Sequence, residues 1–194
     1  HFDDWTKVEP EFRDTPGDPV HRFSRGCGKG LQYENQTGRN DIIAAKVSLD
    51  ATNVYFYVRT WGPLAAYTDR NWMLLFIDAD HNSKTGWLGY DFVVNRINVQ
   101  ERTTTIERNL GGFHWGRPET VSYRMAGNQL ELAIPRATLG LTNLPATFDF
   151  KWADDIQQTG KASDFTLNGD AAPNGRFTFR ARFNLSVCPT SNLS

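Results

Sequence analysis

The sequence predicts an all-β domain, a single antiparallel β-sandwich of jelly-roll type, on three observations. Aromatic residues fill 13% of the 194 positions, with 6 Trp, 6 Tyr and 13 Phe against 2 Met, a composition that suits pleated, half-buried surfaces better than helices. Sixteen Gly and 9 Pro supply frequent turns. Short stretches of period-two alternation recur from residue 42 onward, and no long amphipathic helical pattern competes with them. About eight or nine short strands joined by turns close most simply as a sandwich. A chain of 194 residues suits one domain, read here as an irregular wrap over 1–40, a sandwich over 41–188 and a tail over 189–194.

The wrap carries Pro10, Pro16 and Pro19 and little periodicity. Ile43, Ala45, Val47 and Leu49 then alternate with Ala44, Lys46 and Ser48. After a turn over 50–53, Val54, Phe56 and Val58 alternate with Tyr55, Tyr57 and Arg59. This pair reads as a hairpin with one core face and one half-exposed aromatic face. Residues 72–78, Trp-Met-Leu-Leu-Phe-Ile-Asp, are apolar on both faces, as a central strand should be. A strand follows over Tyr90 to Val99, then the Thr-rich 103–106, and two short strands lie near 120–125 and 128–134 around Gly127. Pro135 to Gly140 reads as one helical turn, with Pro at its start and Gly at its end. Phe148, Phe150 and Trp152 mark one strand face; Phe177, Phe179, Ala181 and Phe183 mark the last, with Arg180 and Arg182 in the opposite phase. Trp72 and Trp152 share phase with apolar neighbours and read as core.

Twenty-one basic and 22 acidic side chains leave a formal charge of -1, so no global field draws the chain to nucleic acid or an anionic membrane. No apolar run approaches the roughly 20 residues of a membrane span. A soluble monomer is expected. Cys27 and Cys188 would form one bridge in an oxidising compartment, or remain two buried thiols. Sequons at Asn35 and Asn184 favour a secreted, extracellular glycoprotein.

Residues 78–91 carry oxygen-bearing side chains at alternate positions, Asp78, Asp80 and Asn82, with Gly86 to turn the chain. Calcium takes six to eight oxygens, and alternating side chains on a tight loop can converge on one ion; Asp91 or loop carbonyls would complete the shell. The loop leaves a strand and has no Glu at its twelfth position, so it is not an EF-hand. The competing reading is an Asp-rich hairpin whose carboxylates cap backbone amides.

Several of these segments carry a resemblance. The run Thr37-Gly-Arg-Asn-Asp-Ile-Ile, then Asn53-Val-Tyr-Phe-Tyr-Val, then Trp72 to Asp80 with Thr85-Gly-Trp87, resembles a family 9-type carbohydrate-binding module. More broadly it is similar to the DOMON-like sandwich domains found beside secreted polysaccharide-degrading enzymes. Leu130 to Pro135, Phe148 to Asp154 and Asn168 to Gly175 extend the similarity over most of 37–183. The resemblance implies a jelly-roll sandwich, a structural calcium, and sugar bound by exposed aromatics.

Sugar rings need flat apolar plates with polar groups at the rim, and Trp combines the two. Trp61 at a strand end, Trp87 in the 78–91 loop and Trp115 in a Gly-rich turn are the candidate plates, against packing under a loop. Arg59, Arg96, Arg180 and Arg182 fall on strands; on one face they would form a groove for carboxylates or sulfates, against a solvated, neutralised surface. Arg39-Asn40-Asp41 either contacts ligand or locks the wrap onto the sheet. A hydrolase would pair Asp154 with Asp164, Asp170 or Glu101, since adjacent Asp154 and Asp155 point to opposite faces of a strand. A lyase would use His114 beside Trp115. The expected function is non-catalytic binding of a polysaccharide or oligosaccharide, with a structural calcium, by a module fused to or acting beside a carbohydrate-active enzyme. The alternatives are a calcium-dependent polysaccharide lyase or glycoside hydrolase, and a spacer without ligand.

Overall fold

Period-two alternation sets the architecture, because each strand must bury one face and needs neighbours along both edges. In the computed structural model, which describes residues 1–18, 22–25, 32–157 and 160–184, a 3-10 turn (Phe2–Lys7) leads into β1 (Phe12–Arg13) and a small hairpin of β2 (Arg22–Arg25) and β3 (Gln32–Asn35). The main strands follow as β4 (Ile42–Leu49), β5 (Asn53–Thr60), β6 (Leu74–Asp78), β7 (Phe92–Val94), β8 (Thr103–Arg108), β9 (Glu119–Ala126) and β10 (Gln129–Pro135). After α1 (Arg136–Leu139) come β11 (Ala146–Asp154), α2 (Asp164–Leu167), β12 (Asp170–Ala172) and β13 (Phe179–Phe183).

Eleven strands form one antiparallel sheet in the order β1-β4-β5-β10-β9-β8-β7-β6-β11-β12, with β13 also on β11. The sheet curls until its ends approach, and the backbone N–H of Ile42 on β4 donates to the Asp170 carboxylate on β12. The all-β expectation holds, in a nearly barrel-shaped form whose opposite walls pack like the halves of a sandwich. Phe56 of β5 lies 5.7 Å from both Phe148 and Phe150 of β11 across the interior. Val54, Phe56 and Val58 point inward, as their phase requires, with Leu75, Ile77, Leu130, Leu132 and Trp152. Trp72 and Trp152 are both fully buried.

A second apolar cluster lies on the other side of β6. Leu74 and Phe76 face outward from the barrel and are covered by Trp87, Tyr90, Val93 and Phe165, with Phe113 and Trp115 partly buried against them. A strand apolar on both faces requires such a cover.

Three expectations are corrected. The strand expected over Tyr90 to Val99 stops at Val94, because Asn95 and Asn98 turn the chain at positive φ, a conformation Asn tolerates better than most residues. The wrap is not wholly irregular, since it contributes the 3-10 turn, β1 and the β2–β3 hairpin. Phe177, in phase with the last strand, precedes it and is 78% exposed. The helical turn after Pro135 forms as expected, and Gly140 closes it at φ 72. Cys27 and Cys188 lie outside the described residues.

Candidate functional site

The outer face of β5 presents Tyr55, Tyr57 and Arg59, because their neighbours Val54, Phe56 and Val58 fill the barrel. Register places Gln129 opposite Arg59, and Glu131 opposite Tyr57 on β10. The Tyr57 hydroxyl donates to Gln129 Oε1 at 2.8 Å. One more step in this phase, just past the end of β5, stands Trp61. Its backbone N–H is tied to the Asp41 carbonyl at 2.7 Å, yet it is 69% exposed. Thr60 Oγ1 fixes the following turn by donating to the Gly62 carbonyl. A rigidly held backbone thus displays a largely uncovered indole.

The 3-10 turn packs on the same face further along. Trp5 stacks on Tyr57 with ring centroids 5.0 Å apart, and its indole N–H donates to Glu131 Oε2 at 2.6 Å. Lys46 Nζ donates to the carbonyls of Trp5 and Val8, which ties the end of the turn to β4. The turn therefore walls the face without closing it.

The other two candidate plates are not surface plates. Trp87 is 6% exposed and packs edge-on to Phe113 at 4.7 Å and against Phe76 at 5.4 Å. Trp115 is partly buried beside Phe113 at 5.7 Å. Both cover the outer side of β6. The candidate arginines are likewise dispersed. Arg96 grips Glu107 with two hydrogen bonds of 2.8 and 2.5 Å, and Glu107 is 1% exposed, so this pair is structural. Arg180 makes the same fork with Asp149 and, against the burial that would raise it, holds that carboxyl below its ordinary value. Of these arginines, Arg59 alone belongs to the Trp61 face.

Arg39 locks the wrap, as one of its two readings had it. It forks onto Asp154 at 2.8 and 3.1 Å and donates to the Arg70 carbonyl. Asp154, fully buried, also accepts from the Met73 backbone. Asn40 accepts from the Ala65 backbone and Asp41 from that of Gly17. Asn35 is 2% exposed and spends its amide nitrogen on the Gly169 carbonyl at 2.7 Å, which leaves no room for a glycan on the folded chain. Asn184 is exposed.

In the 78–91 loop, Asp78, Asp80 and Asp91 bring carboxylate oxygens within 4.8 Å of one another. Burial, joined by the charges of Asp91 and Asp80, pushes the Asp78 carboxyl up to about 6. Such a convergence of three hard oxygen donors fits a calcium ion. Asn82, the fourth expected ligand, turns its side-chain oxygen to the Lys84 backbone instead. The loop also shows the amide capping of the competing reading: Asp91 accepts from the backbone N–H groups of Ala79 and Asp80, and Asp80 from that of Asn82 as well as from the Thr85 hydroxyl.

Sequence reading missed a second acidic group, Asp14, Asp18 and Asp170, where the wrap meets β12. Burial raises Asp170 well above its ordinary value, and nearby Asp18 and Asp14 add to the rise. Lys151 lies close by, fully buried, donating to the Pro173 carbonyl. Burial lowers its pKa to about 7 despite those acids. The three acids are 156 positions apart at the extremes, and no local spacing announces them. No protein-family model, curated protein or solved structure matches the chain.

Proposed function

We propose that the chain is a non-catalytic carbohydrate-binding module whose binding face is the outer side of β5 and β10 at their Trp61 end. The observation that carries this reading is an indole 69% exposed, next in phase after Arg59, with Gln129 across the ladder. An apolar plate beside a guanidinium and an amide matches a pyranose, which offers a C–H face to the ring and hydroxyls to the rim.

The carboxylates support binding over hydrolysis. A glycosidase needs two facing carboxyls at roughly 5–10 Å with space for sugar between them. Asp154 is engaged by Arg39 and Met73, Asp164 and Asp170 are 2% and 1% exposed, and Glu101 is the lone acid lining its cleft among the described residues. His114 is exposed and bonds within its own turn, to the Gly111 carbonyl. Calcium belongs to the same proposal: Asp78, Asp80 and Asp91 would hold it, and it would brace the 78–91 loop by neutralising three converging charges. On the resemblance of 37–183 to family 9-type modules, the setting is a secreted polysaccharide-degrading system.

Native affinity gels over neutral and acidic polysaccharides, with each mixture assayed for new chain ends, test the reading. Retardation without new ends is expected, abolished in a folded Trp61→Ala variant. New ends would overturn the non-catalytic role. Free migration on every polymer would favour a spacer.

A further inference from the structure

The binding face continues beyond Arg59 into two clefts that share one wall, Phe2. The smaller, about 230 Å³, lies between Phe2 and Tyr57, Arg59 and Gln129. The larger, about 580 Å³, lies between Phe2 and Tyr67, Arg102 and Arg124. The wall is firmly seated, because the 3-10 turn that carries it is anchored by the Trp5–Tyr57 stack, the Trp5–Glu131 bond and the two Lys46 bonds.

The charges in the two clefts are uneven in a consistent way. Lys46 is matched by Glu11 at 3.6 Å, and Arg124 by Glu131 at 2.7 Å. Arg59 shares its cleft with the neutral Tyr57 hydroxyl and the Gln129 amide. Among the described residues no carboxylate lies within ion-pair distance of Arg59 or of Arg102. Glu101 shares the larger cleft but is exposed and leaves Arg102 unmatched. The smaller cleft is lined by Arg59 and Lys46 against Glu11, and the larger by Arg102 and Arg124 against Glu101, so the cationic side chains outnumber the carboxylates in each, in a chain whose net charge is -1. The positive potential is local to these clefts, not a property of the whole surface.

We propose that this site takes an anionic polysaccharide, one bearing carboxylates or sulfates, whose chain crosses the Phe2 wall and presents acidic groups to Arg59 on one side and Arg102 on the other. The inference rests on the reading of the Trp61 face as a sugar-binding face. Guanidinium groups match both anions with paired, charge-assisted hydrogen bonds. A neutral polymer could stack on Trp61 but would leave both cations without that gain, so selectivity follows from the arginines and common affinity from the indole.

The test uses the full chain in affinity gels against a uronate polymer, a sulfated galactan and a neutral xylan, at low and high salt. Acidic polymers are expected to retard it strongly and xylan only weakly, with added salt weakening the acidic retardation. Arg59→Gln and Arg102→Gln, checked for unchanged melting, should each weaken acidic binding about tenfold, with Arg102→Lys intermediate. The uronate and sulfate lanes separate the two anions. Equal retardation by xylan, or wild-type affinity in Arg102→Gln, would overturn the anionic specificity while leaving the binding face standing. Free migration in all lanes would overturn both.

Discussion

At the scale of single residues, six tryptophans occupy very different settings in one chain. Trp72 and Trp152 are buried in the barrel, Trp5 in the wall beside Tyr57, and Trp87 under a loop, whereas Trp61 is 69% exposed. Replacing Trp61 by Ala should change stability by no more than about 0.5 kcal/mol, since it covers little, while polysaccharide retention falls at least about tenfold, as for a central aromatic contact; chemical denaturation and affinity gels check the two halves. Arg39 shows the opposite profile. Arg39→Met strands the fully buried Asp154 carboxylate, and urea titration should show a loss of about 3 kcal/mol. Exposure of an indole cannot be read from its own neighbours in sequence. Trp61, Trp87 and Trp115 all sit at strand ends or in loops, and only the barrel decides which of them is covered. One signal for Trp87 was legible all the same: residues 72–78 are apolar on both faces, so something apolar had to lie over Leu74 and Phe76, and the loop tryptophans were the available cover.

At the scale of elements, three segments carry distinct expectations. The 78–91 loop gathers Asp78, Asp80 and Asp91; if calcium neutralises them, chelator lowers the melting temperature of the wild-type chain and leaves that of Asp80→Asn unchanged, which calorimetry reads directly. The alternating acids were legible in sequence, and so was the competing amide-capping pattern; both are present, because a loop that points carboxylates inward must also satisfy its own turn. On β11, Lys151 is fully buried and its pKa falls to about 7. The unfolded chain keeps that proton to about pH 10.4, so between pH 7 and 9 the unfolded state holds more protons and stability rises with pH. Against Lys151→Met, which lacks the titration, the wild-type chain should gain stability over that interval; a constant difference would contradict it. Before β12, Gly169 sits at φ 56, and a Cβ there would lie 1.8 Å from the Asp154 carbonyl oxygen. Gly169→Ala should cost about 3 kcal/mol or more, and it would disturb the seam where Asn35 also bonds.

For the whole molecule, the hairpin of β4 and β5 and the pairing of β9 with β10 were legible because one face of each is apolar at every second residue. Closure of the sheet was not. It depends on contacts such as Ile42 with Asp170 and Arg39 with Asp154, 128 and 115 residues apart, which leave no periodic trace. The candidate site was half legible for the same reason: Arg59 and Trp61 share one strand and one phase, whereas Gln129, Phe2 and Arg102 join them only through the fold. The central claim is that this assembled face, and no other aromatic group, meets the sugar. The most direct measurement follows the indole N–H resonances of the full, isotope-labelled chain as an oligosaccharide from the retained polymer is added. The account predicts that the Trp61 signal shifts in proportion to occupancy while those of Trp72, Trp87 and Trp152 stay in place. A stationary Trp61 with moving Trp87 or Trp115 signals would contradict it and move the site to the cover of β6.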